Sequence, residues 1–296
     1  MSRRGLLLFV AMCVIWGIPY LFIRIAVSEI SPVMLVFLRT TLGAAILLPI
    51  AIGRGELRAV LARWPFVILF AAVEIGIPWV SLSSAEQQVS SSLTGLLISA
   101  VPLAATIISP LIGNRDRMGI VNIVGLLIGL AGVATIAGFN IHASAWFAVV
   151  ELGVVVIGYA LGPAILTRFL SSLPSVGVTA TSLAMCAIAY AIPAALQWPR
   201  SMPHVEVIAS VAVLAVVCTA VAFLLFFALI AEVGPVRSTV ITYINPAVAA
   251  VAGVLVLHES FTAGMAIGFV LVLAGSALAT RRGRETAETP FVGAEP

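Results

Sequence analysis

Apolar residues run in long unbroken blocks along this chain, and polar residues fall in short clusters between them. Ten apolar stretches can be drawn, at 6–27, 32–52, 64–84, 88–112, 119–138, 145–167, 174–196, 206–231, 237–257 and 262–280. A helix needs about 20 apolar residues to cross a ~30 Å hydrocarbon core, and the stretches are of that order. They are continuous rather than alternating, which excludes the strands of a membrane barrel. A continuous run in lipid satisfies its own backbone hydrogen bonds only as a helix. The expected fold class is therefore an all-α membrane protein with ten transmembrane helices. The clusters between runs, such as Ser28 to Pro32, Gly53 to Arg58, Gly113 to Arg117 and Trp198 to Pro203, are too short to separate soluble domains. The first run follows Met1-Ser2-Arg3-Arg4, is too long for a signal peptide and lacks a small-residue cleavage pattern, so it reads as a retained helix.

Composition narrows the class. Of 296 residues, 62% are hydrophobic and 9% charged, against about 25% charged in a soluble domain. The mean hydropathy is +1.21. A soluble globule, a disordered chain, a coiled coil and a nucleic-acid binder with a basic face are all excluded. The 15 basic residues are all arginine, and their placement matters more than the net charge of +3. With the N-terminus inside, twelve fall on the inner face: Arg3, Arg4, Arg54, Arg58, Arg63, Arg115, Arg117, Arg168, Arg237, Arg281, Arg282 and Arg284. Only Arg200 falls outside, while Arg24 and Arg39 lie within helices. That bias puts both termini in the cytoplasm of a multi-pass protein of the cell (inner) membrane. Residues 281–296 form a polar tail, expected to be disordered. Cys13, Cys186 and Cys218 lie in apolar runs, without metal-ligand spacing or a disulfide framework, and read as small core hydrophobes.

The two halves resemble each other. Pro102 matches Pro246 at a separation of 144 residues. Gly125 and Ala131-Gly132 match Gly268 and Ala274-Gly275 at 143, which sets Asp116 on Glu259. Pro32 against Pro174 and Pro49 against Pro193 match more loosely. Five helices per half is an odd number, so the second half enters the membrane from the opposite side. Residues 1–138 and 145–280 are thus expected to form two inverted repeats, with a site between them that faces each side in turn.

At these landmarks the chain resembles the EamA family of the drug/metabolite transporter superfamily. The residues that carry the likeness are Trp16-Gly17, Pro32 with Arg39, Pro102, Asn245-Pro246, Leu257-His258-Glu259 and the glycines of the last helix. The resemblance implies a ten-helix secondary transporter of small metabolites, often an exporter. Two features depart from the family pattern. Asp116 stands where the first half usually has glutamate, and Thr181 or Ser182 stands where a second-half counterpart of Arg39 would be.

Ionisable groups inside spans are costly and need partners or water. Arg39 and Glu74 lie at similar depth on neighbouring helices. They read either as an ion pair fixing the second helix against the third, or as a charge-binding site for a zwitterion with Glu74 as a proton-coupling carboxylate. Glu151, in the outer third of the sixth helix, is a second proton-coupling candidate. Arg24 is expected to snorkel, Glu86 and Glu232 to be solvated or capping at helix ends, and Asp116 and Glu259 to cap the helices that follow them. Trp16, Tyr20, Tyr159, Tyr243 and Asn245 near mid-depth, with Ser91 among the hydroxyls before Pro102, would line a small-molecule cavity or simply pack. Trp79, Trp146, Trp198 and Phe291 read as interface or tail residues. Pro102 and Pro246 are expected to interrupt the fourth and ninth helices as hinges or plain kinks. The glycine pairs Gly125/Gly129 and Gly264/Gly268 mark the fifth and tenth helices as close-packing, and as a candidate homodimer surface.

No HExxH, GxSxG or Walker loop occurs, and His142, His204 and His258 are scattered. No enzyme, cofactor, metal or nucleic-acid partner is expected. The sequence points to a secondary transporter of amino-acid-like or other small organic solutes in the lipid bilayer. A non-transporting membrane scaffold or sensor is the alternative.

Overall fold

A computed structural model describes residues 2–109, 119–140 and 145–280. Asp116, His142, Phe291 and the rest of the 281–296 segment lie outside the described residues. Within those described, helices are the only regular structure. Eight segments are long and apolar enough to cross a membrane: α1 Arg3–Ala26, α2 Pro32–Gly53, α3 Trp64–Ala85, α4 Ser91–Ile108, α5 Ile120–Gly138, α6 Trp146–Leu170, α7 Ser175–Leu196 and α8 Val205–Val233. Two shorter apolar helices follow, α9 Ile241–Leu257 and α10 Ala263–Ala279. At 17 residues each they span about 26 Å, short of a full bilayer core by roughly one turn. Large apolar side chains such as Leu7, Ile120, Leu127, Phe147, Ile188 and Leu196 stand exposed on the outer faces, where lipid rather than water would meet them.

Equivalent helices of the two halves pack on each other: α2 on α7, α4 on α9 and, most extensively, α5 on α10. All three pairs run antiparallel. Along α4 and α9, Gly95 meets Ala249 while Gly253 meets Ser92. Along α5 and α10, Gly125 meets Ala279 while Gly132 meets Gly268. A Cβ on Gly275 would lie 2.3 Å from the Gly129 backbone nitrogen, so these backbones touch directly. The glycine faces considered as a dimer surface are thus used within one chain.

Proline and compensating polar groups shape α1. Pro19 opens its second piece, and the helix breaks across Trp16–Ile18. There the Gly17 and Ile18 N–H groups both donate to the Val14 carbonyl, leaving the Cys13 carbonyl without its usual helical partner. Asn245 of α9 supplies one. Its side-chain nitrogen donates to Cys13 O at 3.1 Å and to Ile241 O at 2.9 Å. Replacing Asn245 with leucine strands that carbonyl in an apolar setting and is expected to cost about 1–2 kcal/mol. A thermal-melt comparison in detergent checks this. An unchanged midpoint would show that the α1–α9 bond contributes nothing.

Three wide-wound π segments occur among the described residues, two of them at matching places, Ala71–Gly76 in α3 and Val213–Val221 in α8, and the third at Leu166–Leu170 in α6. Such segments offset helix register and cluster at functional sites. The prolines, by contrast, act differently in the two halves. Pro102 sits just after a break in α4 at Ser99–Ala100, where its missing N–H costs nothing. Its counterpart Pro246 lies inside a continuous α9, so the expected interruption there is corrected to a helix that runs through. The break in that region lies earlier, at Thr239–Val240. Likewise Pro19 breaks α1, whereas Pro163, 144 residues later, lies inside an unbroken stretch of α6.

Candidate functional site

Arg39 projects from the middle of α2 and is 6% exposed. Its guanidinium carbon lies 3.7 Å from the ring centroid of Trp79 on α3, a cation–π stack in a desolvated setting. Its Nε donates to Thr219 Oγ1 at 2.8 Å. Thr219 sits in the α8 π segment, and its own hydroxyl proton goes to the Leu214 carbonyl at 2.8 Å. That commitment turns a lone pair toward Arg39 and fixes the guanidinium plane. Tyr20 of α1, Tyr159 of α6 and Cys218 of α8 surround it within electrostatic range. Tyr159 also lies beside Trp79. The group therefore draws on both halves.

Among the described residues no carboxylate pairs with Arg39. Among the described residues the ion pairs are Arg54–Glu56 and His204–Glu29. The Arg39–Glu74 pair offered by the sequence is not formed, because Trp79 and Thr219 hold the guanidinium elsewhere. Nε–Thr219 is its single hydrogen bond among the described residues, so its two terminal amino groups are left for an incoming acceptor.

Glu74 lies in the α3 π segment, half-buried, with Oε2 enclosed and unpartnered. It fills a gap over Gly162 of α6, where a Cβ would come within 1.7 Å of Oε2. It stands within electrostatic range of Tyr159. Glu151 is half-buried farther along α6, also with Oε2 unpartnered. At the α2-equivalent position of the second half, Thr181 and Ser182 are buried with unpartnered hydroxyls.

The other sequence candidates go to different places. Trp16 packs on Phe226 and Phe223 of α8, with ring centroids 4.6 and 5.8 Å away. Asn245 holds α9 to α1, and Tyr243 is half-buried on α9. The backbone N–H of Ser91 donates to Glu259 Oε1 at 2.8 Å, while its buried hydroxyl has no partner. Glu259 also accepts from Ser92 N at 2.8 Å and Ser92 Oγ at 2.5 Å. It therefore caps α4 in the other half, and Thr262 caps the helix that follows. The expectation that Glu259 caps its own next helix is corrected, because Thr262 already supplies that oxygen.

Two side chains lie in settings other than the sequence suggests. Trp79, for which the sequence suggests an interface position, is 6% exposed and forms the floor under Arg39. Glu86, taken as solvated or capping, is fully buried with both carboxyl oxygens unpartnered. Glu232 stays exposed and accepts from Ser2 Oγ, while Arg24 donates to the Glu86 carbonyl at the C-terminal end of α3. Trp146 and Trp198 are exposed as expected.

A surface tether joins the α1–α2 and α7–α8 turns. Glu29 accepts from the His204 backbone N–H at 2.8 Å and contacts His204 Nδ1 at 2.5 Å. These bonds, the backbone one foremost, hold the Glu29 pKa below the usual carboxylate value. The tether is thus complete above the ordinary glutamate pKa, about 4.3, and is lost as pH falls through the lowered value. Hydrogen exchange at the His204 amide, corrected for intrinsic rate, is expected to speed up in that acid range. A flat profile would mean that the carboxylate does not hold the turn.

The comparisons agree with this architecture. The model of the EamA-like transporter family matches residues 3–138 and again 146–281. The uncharacterized transporter YvbV of Bacillus subtilis (strain 168) is 24% identical over 292 residues, covering 96% of this chain and 93% of that protein. The uncharacterized inner membrane transporter YedA of Escherichia coli (strain K12) is 29% identical over 252 residues, covering 82% of this chain and 79% of that protein. A solved crystal structure superposes with a TM-score of 0.66 over 95% of this chain and 97% of that one, at 20% identity, which shows likeness of fold. With two copies of the family pattern spanning nearly its whole length, this multi-pass membrane protein belongs to the EamA-like transporter family.

Proposed function

We propose that the chain is a secondary active transporter of small organic solutes bearing a carboxylate, amino-acid-like ones among them, working by alternating access between two inverted five-helix halves. The observation that carries this reading is the buried Arg39, which has no counterion among the described residues. A desolvated guanidinium held flat by Trp79 and Thr219, with its terminal amino groups unused, suits two-pronged binding of a carboxylate. Tyr20 and Tyr159 add flat walls, and Glu74 and Glu151 are the proton-coupling candidates.

Antiparallel packing of equivalent helices supports the inversion, since an axis lying in the membrane plane reverses each helix against its twin. The unequal behaviour of Pro19 against Pro163 and of Pro102 against Pro246 supports alternation. Two halves with shared landmarks hold different conformations, and exchanging them would turn the site to the other face. The arginine bias supports a reading with both termini in the cytoplasm and all ten helices as spans, α9 and α10 being accommodated by local thinning. Export is the proposed direction. The polar centre weighs against a sealed scaffold or sensor.

The experiment is a flux screen in proteoliposomes under an imposed pH gradient, over carboxylate-bearing solutes and their amide or ester analogues. Flux confined to the carboxylates supports the reading. Equal flux of the analogues, or none for any solute, overturns it.

A further inference from the structure

Glu86 lies in the turn from α3 to α4, with no exposed surface and no hydrogen-bond partner for either carboxyl oxygen. Charged and titratable groups face it from three elements. Arg24 of α1 donates to the backbone carbonyl of Glu86 and forms no ion pair with its carboxyl. Tyr20 lies on the same helix, and Tyr159 faces it from α6. Glu259, from the α9–α10 turn, is held at the start of α4 by Ser91 and Ser92, five and six residues along the chain from Glu86. These bonds tie one half to the other at that end. Burial, and then the Glu259 charge, raise the Glu86 pKa against the opposing pull of Arg24.

We propose that Glu86 is a proton-binding latch: a proton on its carboxyl lets the α3–α4 turn close against the α9–α10 turn, and loss of that proton opens this end. The inference rests on the reading above, in which this end faces outward and opens during the cycle. An ionised Glu86 in the closed arrangement would be dry, without a donor, and beside a second carboxylate whose position the closure itself fixes. Opening admits water and removes both costs. Closing takes one proton from the water on that side onto a Glu86 oxygen, and opening returns it. The closed form binds the proton more tightly, so falling pH favours closure and rising pH favours opening.

The test uses the full chain in nanodiscs, with Cys13, Cys186 and Cys218 changed to alanine and one thiol added by Val89→Cys. Val89 is 6% exposed, in the same turn. Labelling by an impermeant maleimide is measured against pH and normalised to the unfolded chain at each pH. With Glu86 present, the normalised rate is expected to rise several-fold from acid to mildly alkaline pH, because the open form is the one that releases the proton. Glu86→Gln is expected to stay slow throughout, and Glu86→Asp to regain the response. A Gln variant that keeps the response, or labels fast at every pH, overturns the latch. If Glu86→Gln does not fold, the Glu86 chain decides alone, and a flat profile overturns the proposal. The readout needs no solute. Flux without a pH response removes the latch and keeps the transporter, while a response without flux does the reverse.

Discussion

Arg39→Leu is expected to abolish carboxylate binding while leaving the protein as stable as before, or more so. Among the described residues the guanidinium is buried without a counterion, so the shorter, apolar leucine removes a desolvated charge. What it loses is the cation–π stack on Trp79 and one hydrogen bond to Thr219, whose hydroxyl still donates to Leu214. Losing a buried charged partner for the solute costs about 3 kcal/mol, or roughly a hundredfold in apparent affinity. Arg39→Lys is expected to be nearly as poor, because a point charge on a flexible stem neither lies flat on the indole nor offers two parallel donors. Melting midpoint and KM are the paired readouts. A structural arginine would show the opposite pattern, with a fallen midpoint and an unchanged KM for the surviving protein.

The second large effect is expected at Gly162. Glu74 occupies the space where its side chain would be, with Oε2 at 1.7 Å and Cδ at 2.7 Å from a built Cβ. Gly162→Val therefore evicts the carboxyl from the gap between α3 and α6. Flux is expected to fall about a hundredfold, since displacing a reacting group by about 1 Å already has effects of that size. Glu74→Gln keeps the shape but cannot ionise, and is expected to leave flux independent of pH. The combination of Glu74→Ala with Gly162→Val relieves the clash, so its melting midpoint should recover while its flux does not. Recovery of flux in that double variant would remove Glu74 from the mechanism.

Most of the helices were legible in the sequence because lipid leaves little choice: a continuous apolar run has to satisfy its own backbone. The pairing of α5 with α10 was legible in part, since their glycines signalled close packing but not the partner. Local irregularity was not legible. Pro102 and Pro246 look equivalent in sequence, yet only one adjoins a break, because backbone conformation at a proline depends on what the neighbouring helix supplies. At the site, Arg39 and Glu74 stood out as costly charges, but their separation did not. The stack on Trp79 depends on the π segments of α3 and α8, and a hydrophobic pattern does not encode them. Glu86 was misread for a related reason. Its place beside Gln87 and Gln88 suggests water, whereas its burial depends on tertiary neighbours, Arg24 of α1 and Glu259 of the other half among them.

The measurement that bears most directly on the account is access to the native thiol of Cys218, which lies beside Arg39 and is 1% exposed. With Cys13 and Cys186 changed to alanine, an impermeant anionic thiosulfonate is applied from one side of the membrane and then, separately, from the other. Two inverted halves that alternate around a shared centre predict modification from both sides, slowed from both by a saturating carboxylate solute. Modification from one side only, at a rate the solute does not change, would contradict it.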